Sequence, residues 1–175
     1  MKIIIRQENQ KDYRITESVV EQAFKRLDYD PSEHILVSKL RKSHVFIPEL
    51  SLIAEVDGRI VGHTMLTKLI IKNGEKEYES LALAPVSVLP SYQNKGVGTA
   101  LVNEVLKIAK NIGFKSAIVL GHPNYYPRFG FKPASIWGIK PPFDVSDDVF
   151  MALELECGSL EGVTGIVEYP KEFFE

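Results

Sequence analysis

Val86-Ser87-Val88-Leu89-Pro90-Ser91-Tyr92-Gln93-Asn94-Lys95-Gly96-Val97-Gly98-Thr99-Ala100-Leu101 runs from a β-branched stretch, through a turn with two glycines, into the start of an amphipathic pattern. A strand, a glycine-bearing turn and a helix N-terminus in that order make an anion site. Residues without a Cβ let the backbone approach a ligand, first-turn N–H groups have no intrahelical partner, and the macrodipole adds partial positive charge. A pyrophosphate fits such a site. The plainer reading stands beside it, that Gly96 and Gly98 simply open a helix next to a strand. Nucleotide loops of Rossmann or P-loop type are disfavoured because neither G-x-G-x-x-G nor G-x-x-x-x-G-K-[ST] is complete.

Downstream, Leu101, Val102, Val105, Leu106 and Ala109 share one face of a helix expected over 95–112, with Gly113 placed as its C-cap. Ser116 to Leu120 reads as a buried strand, so strand, helix and strand predict a parallel pair with a right-handed crossover. Upstream, 50–56 and 60–71 are β-rich runs around Asp57-Gly58-Arg59, a hairpin signal, and Asn73-Gly74 turns the chain into a strand over 78–89. Pro85 within that strand marks an edge or a bulge, because proline donates nothing to a ladder. The first strand is expected at 2–7. Helices follow over about 10–27, with Val19, Val20, Ala23, Phe24 and Leu27 on the buried face, and from Pro31 to Lys42. Pro123 to Phe129 predicts a short helical turn, and Val149 to Glu156 the last clear strand. The fold class is therefore α/β, with a mixed, mostly antiparallel sheet and flanking helices in one domain over 1–175.

Composition narrows the function. The 175 residues carry 21 Lys+Arg against 23 Asp+Glu, a formal net charge of -2, which leaves no electrostatic footprint for nucleic acid or an anionic membrane. The Ile3-Ile4-Ile5 run is cut off at once by charges, so neither an export signal nor a membrane span is expected. One cysteine, Cys157, cannot form an internal disulfide and fits a reducing, cytoplasmic setting.

Two motifs resemble one family. Gln93-x-x-Gly96-x-Gly98, preceded by Val86-x-Val88 and followed by a helix, resembles the acetyl-CoA-binding motif of the GNAT superfamily of N-acetyltransferases. Tyr126-Pro127-Arg128-Phe129-Gly130-Phe131 is similar to the Tyr-x-x-x-Gly-Phe signature that follows the fifth strand of that fold. The ending, with Glu154-Leu155, Gly158, Gly162, Gly165 and Tyr169-Pro170, looks like a bacterial subgroup of small members, so the likeness covers the whole chain. It implies a GNAT-like sheet with a splayed central strand pair, acetyl-CoA as acetyl donor, and direct transfer to a primary amine on a small molecule or a protein.

The resemblance also assigns roles. Val86, Ser87 and Val88 would offer backbone groups to the pantetheine arm. Gln93, Asn94, Lys95, Gly96, Val97, Gly98 and Thr99 would wrap the pyrophosphate. Tyr126 would protonate the departing sulfur, and a bulge N–H, that of Val88, would stabilise the oxyanion. The family's glutamate base has no counterpart, because 81–89 contain no carboxylate. A water chain, Glu79, Ser87 or His122 is left to assist, and none is assigned. The rival reading is an acyl-CoA-binding sensor or interaction module of the same fold without turnover.

The remaining residues have plainer expectations. His34 and His44 face solvent without metal spacing, His63 is a cross-strand neighbour, and His122 shapes a turn beside Pro123. Tyr125 packs into the core, Cys157 is a small buried hydrophobe, and Trp137, Pro141, Pro142 and Phe143 either cover the acceptor groove or pack the core. Val163 to Tyr169 is a candidate edge strand that would pair across a homodimer interface.

Overall fold

The computed structural model of the protein describes residues 1–26 and 28–175. Leu27, expected on the buried helix face, lies outside the described residues. The periodic stretch that begins near residue 10 divides into a 3-10 turn, Gln10–Asp12, and helix α1, Tyr13–Phe24. Asn9 and Asp12 cap the turn reciprocally, Asn9 Oδ1 accepting from Lys11 N and Asp12 Oδ2 from Asn9 N. Helix α2 spans Glu33–Arg41 and α3 spans Val97–Asn111, with Gly113 at φ 106 where the C-cap was expected.

Strands β1 (Ile4–Gln7), β2 (Ser51–Val56), β3 (Arg59–Asn73), β4 (Lys76–Val88), β5 (Ser116–Leu120), β6 (Lys132–Pro133), β7 (Ile139–Lys140), β8 (Phe150–Glu154) and β9 (Gly165–Glu168) form one sheet. Its main path is β1-β2-β3-β4-β5-β8-β6. The β2–β3 hairpin turns at Asp57 and Gly58, with φ 51 and 75, the double left-handed geometry that Asp-Gly favours. Pro85 sits at a bulge: Thr64 pairs with Val86 and Leu66 with Leu83, so β4 carries an extra residue there. Thr64 Oγ1 donates to the Pro85 carbonyl at 3.0 Å.

Successive residues of β3 face opposite sides. An added Cβ at Gly62 would meet Val97 and Leu101 of α3, whereas Met65 packs with Val20, Val37 and Leu40 of α1 and α2. The sheet is thus covered by α3 on one face and by α1 and α2 on the other. Between β4 and β5 the parallel pairing is reduced to one rung, Ala82 with Ile118, so the sheet opens beyond it.

Three expectations change. Val163 to Tyr169 does not present a free edge: β9 pairs antiparallel with Ile70–Lys72 of β3 and parallel with β7. β3 is long enough to hold β2 along its first half and β9 along its second, so this segment is consumed within the chain. Cys157 is exposed, because it falls in the turn after β8 rather than in the strand. His34 is partly covered, with Nε2 3.3 Å from Glu21 Oε2. Among the described residues no helix is long and apolar enough to cross a membrane.

The face under α1 and α2 contains a buried polar chain. Arg41 grips Glu8 with two nitrogens, at 2.6 and 3.2 Å. Ser51 Oγ donates to Glu8 at 2.8 Å and lies 3.0 Å from His63 Nε2. Burial pushes the His63 imidazole down to about 4, against the pull of the Glu8 carboxylate and with the help of Arg41. The sign follows from linkage: from pH 6.5 down to about 4 the unfolded chain takes up a proton that the folded chain refuses, so stability falls on acidification. Across that window the loss should reach about 3 kcal/mol. Urea midpoints at pH 7 and pH 4.5 check it; a flat profile, or the same slope in His63→Gln, would assign acid sensitivity to other groups.

Candidate active site

The turn after β4 carries the geometry that a phosphate cradle needs. Asn94 and Gly96 adopt left-handed backbone, φ 61 and 87, which swings the chain into α3. An added Cβ at Gly98 would come within 3.1 Å of the Tyr125 hydroxyl and 3.6 Å of Val88, so the space beside this residue belongs to the cavity wall. A cavity of about 560 Å³ lies against the turn. Val86, Val88, Gln93, Asn94, Gly96, Val97, Gly98 and Thr99 all line it. Ser87 and Lys95 do not. Ser87 is fully buried and pairs with His63 on the other face of the sheet, and Lys95 lies with its Nζ 5.8 Å from the Tyr92 ring centroid.

Leu89 N donates to Val61 O at 2.8 Å, so strand alternation turns the N–H and C=O of Val88 and Val86 away from β3, into the gap beside β5. Gln93 Nε2 uses one of these groups, donating to Val88 O at 3.0 Å.

The sequence reading missed Tyr92, Tyr125 and Arg128 in this wall. Tyr125 was expected in the core because neighbours at a helix start diverge. In the tight 3-10 turn at Tyr126–Phe129 both tyrosines instead reach the cavity, their rings 5.1 Å apart at 88°. Tyr125 Oη lies 3.3 Å from Thr99 Oγ1, and Arg128 covers the Tyr125 ring at 4.3 Å while its Nε donates to Tyr125 O.

A second cavity, about 490 Å³, opens on the other side of the gap. Val86 and Tyr126 line both cavities, so the two meet at these residues. Tyr126 packs edge-on against Phe131 at 5.9 Å, and burial, with a smaller contribution from Tyr125, pushes its phenol up to about 12. Gly121 makes room for that ring, since a Cβ there would run into Tyr126 Cε2. A glycine directly after β5 was the only local signal for this. Phe143 joins the second cavity, whereas Trp137 packs in the cluster around Ile139 and Leu160. Glu79 and His122 are exposed and line neither cavity; the His122 carbonyl accepts from Tyr125 N at 3.1 Å, the turn role expected of it.

Residues 6–131 match the acetyltransferase (GNAT) family. The chain belongs to the GNAT family. This GNAT chain is 36% identical over 115 residues to YjhQ of Escherichia coli K12, described as an uncharacterized N-acetyltransferase. That match takes in 65% of this chain and 63% of YjhQ, so the chain spans just under two thirds of that relative. A crystal structure of the GNAT N-acetyltransferase YhbS from Escherichia coli in complex with CoA superposes with a TM-score of 0.89 at 27% identity, covering 100% of this chain and 93% of YhbS. A GNAT acetyltransferase from Brucella melitensis in complex with acetyl-CoA is 32% identical, with a TM-score of 0.79 and 98% of each chain covered. The mixed, mostly antiparallel sheet with its splayed β4–β5 pair is the GNAT fold.

Proposed function

We propose that this GNAT chain, acting as a single cytoplasmic domain, transfers the acetyl group of acetyl-CoA directly to a primary amine. The observation that carries the reading is the meeting of two cavities at Val86 and Tyr126: one lies against the glycine turn, the other is free to take an acceptor. The CoA- and acetyl-CoA-bound relatives supply the donor's identity. The cradle fits its pyrophosphate, because the approach past Gly98 is one that a side chain would fill.

In this reading the pantetheine arm lies along the open side of β4, and the neutral amine enters from the second cavity to attack the thioester carbonyl. A C–N bond forms as the C–S bond breaks. The N–H of Val86 faces the gap at the junction and is better placed for the oxyanion than that of Val88, which lines the donor cavity alone. Tyr126 gives its proton to the leaving thiolate. Its raised pKa keeps the phenol protonated across the working range and makes it a weaker acid than a free tyrosine, so the transfer rests on its being held beside the sulfur. An ordinary amine is neutral in only about one molecule in a few thousand at pH 7, so its proton must leave before or during attack.

The test is a melting curve paired with thiol release. CoA at a hundredfold over its dissociation constant should stabilise the protein by about 2.7 kcal/mol. A melting temperature unmoved by saturating CoA and acetyl-CoA sinks the donor assignment. A melting shift with no amine-dependent release of free CoA supports the sensor reading instead.

A further inference from the structure

The second cavity is walled mostly by hydrocarbon and aromatic rings. Phe24 and Leu36 come from α1 and α2, Phe143 from a late loop, and Tyr169 and Phe173 from the last segment. Among the described residues lining it, one bears a charge: Glu33, the first residue of α2. Its Oε1 accepts from the Tyr29 hydroxyl at 2.6 Å and its Oε2 from Ser32 N at 3.1 Å. Both donors are neutral, and no cation lies within ion-pair distance of Glu33 among the described residues. The carboxylate also raises the pKa of Tyr29 by holding its proton. A carboxylate held by neutral donors in the wall of a largely apolar cavity keeps its charge available to a cationic ligand.

From this juxtaposition we infer that the acceptor is an aralkyl primary amine, an aromatic body on a short alkyl chain ending in one ammonium, which Glu33 draws in while the body packs among Phe24, Phe143, Tyr169 and Phe173. The inference rests on the acetyl-transfer reading of the same site and narrows it. One carboxylate matches one ammonium. A polyamine or aminoglycoside would bring further cations into a wall of rings with no second carboxylate, and an α-amino acid would bring a carboxylate that meets Glu33 and no cation; both uncompensated burials cost free energy. A flat ring in offset or edge-on contact with the wall gains area burial and favourable ring geometry together.

The experiment compares acetyl-CoA-dependent thiol release with 2-phenylethylamine, L-phenylalanine and spermidine, alongside CoA melting shifts of the wild type and of Glu33→Gln and Glu33→Asp. The expected kcat/KM for 2-phenylethylamine exceeds those of both comparators by at least about tenfold, since a charge-assisted contact and its loss differ by that much or more. In Glu33→Gln the KM for 2-phenylethylamine rises about tenfold, more than kcat falls, and Glu33→Asp recovers part of it. The CoA melting shift persists in both variants, which shows that they fold. Spermidine or L-phenylalanine equalling 2-phenylethylamine, an unmoved KM in Glu33→Gln, or no turnover with any of the three while CoA still shifts the melting curve, each overturns the acceptor class and leaves the donor reading intact. Absence of any CoA shift in the wild type overturns the donor reading and this inference with it.

Discussion

Tyr126→Phe should lower kcat for acetyl transfer by about 10²–10⁴-fold, the usual loss on removing a general acid, and leave the CoA melting shift in place. The substitution keeps the ring that packs against Phe131 and Phe129 and deletes the hydroxyl at the junction of the two cavities. Burial holds that hydroxyl's pKa near 12, so the phenol stays protonated at working pH and is a weaker acid than a free tyrosine. Transfer to the departing thiolate, whose thiol pKa is about 8.5, is uphill from that phenol at equilibrium, so the step depends on a donor fixed beside the sulfur as the C–S bond breaks. If Tyr126 only packs, the phenylalanine variant turns over normally and a defect appears only on truncation to alanine, where a buried ring is lost. Measuring kcat at saturating acetyl-CoA separates the two. Unchanged kcat would leave the proton to water.

The second large effect is on stability. Arg41→Met should destabilise the fold by about 3–5 kcal/mol, because it strands a carboxylate that has no access to solvent. The Glu8 side chain is 0% exposed and that of Arg41 4%. Burial alone raises the Glu8 pKa; positive charge from His63 when it is protonated, and the hydrogen bonds and charge of Arg41, overcome this and hold it below the usual carboxylate range. Arg41 also lies 4.0 Å from the Tyr13 ring centroid and 2.9 Å from Glu17, so its removal loosens α1 as well as β1's extension. For a chain of this length the melting temperature should fall by roughly 10 °C. Adding Glu8→Gln should restore part of the loss, since the amide can be buried without a counter-charge. A fall below about 1 kcal/mol in Arg41→Met would place the pair with ordinary surface bridges.

Local chemistry made much of this protein legible from its sequence. Asp57-Gly58 located the first hairpin because only a few residue types accept two successive left-handed conformations. Pro85 located the bulge because a missing N–H interrupts a ladder wherever it falls. Every residue predicted along the turn from Gln93 to Thr99 except Lys95 lines the cavity beside that turn, because most of its wall comes from one continuous segment. The second cavity was illegible for the opposite reason. Phe24, Glu33, Leu36, Phe143 and Tyr169 are brought together only by the finished topology. The same holds for β9, whose pairing with β3 spans about ninety-five residues and carries no turn signal. Glu8, Ser51, His63 and Arg41 each read as unremarkable residues on separate elements, and only their meeting gives them a shared electrostatic role.

The single rung between Ala82 and Ile118 gives the sheet a seam rather than a continuous weave. A sheet edge normally lies on the outside, where it recruits foreign strands; this one is internal and hemmed in by α3 and the tyrosine turn. The pantetheine arm of CoA is a slender chain bearing amide groups, able in principle to hydrogen-bond along such an edge. On the proposed function the donor therefore serves as temporary secondary structure, lacing the two halves of the sheet while it is bound. Each release of CoA would reopen that seam, so the protein would alternate between a sheet of two halves and a sheet of one with every turnover.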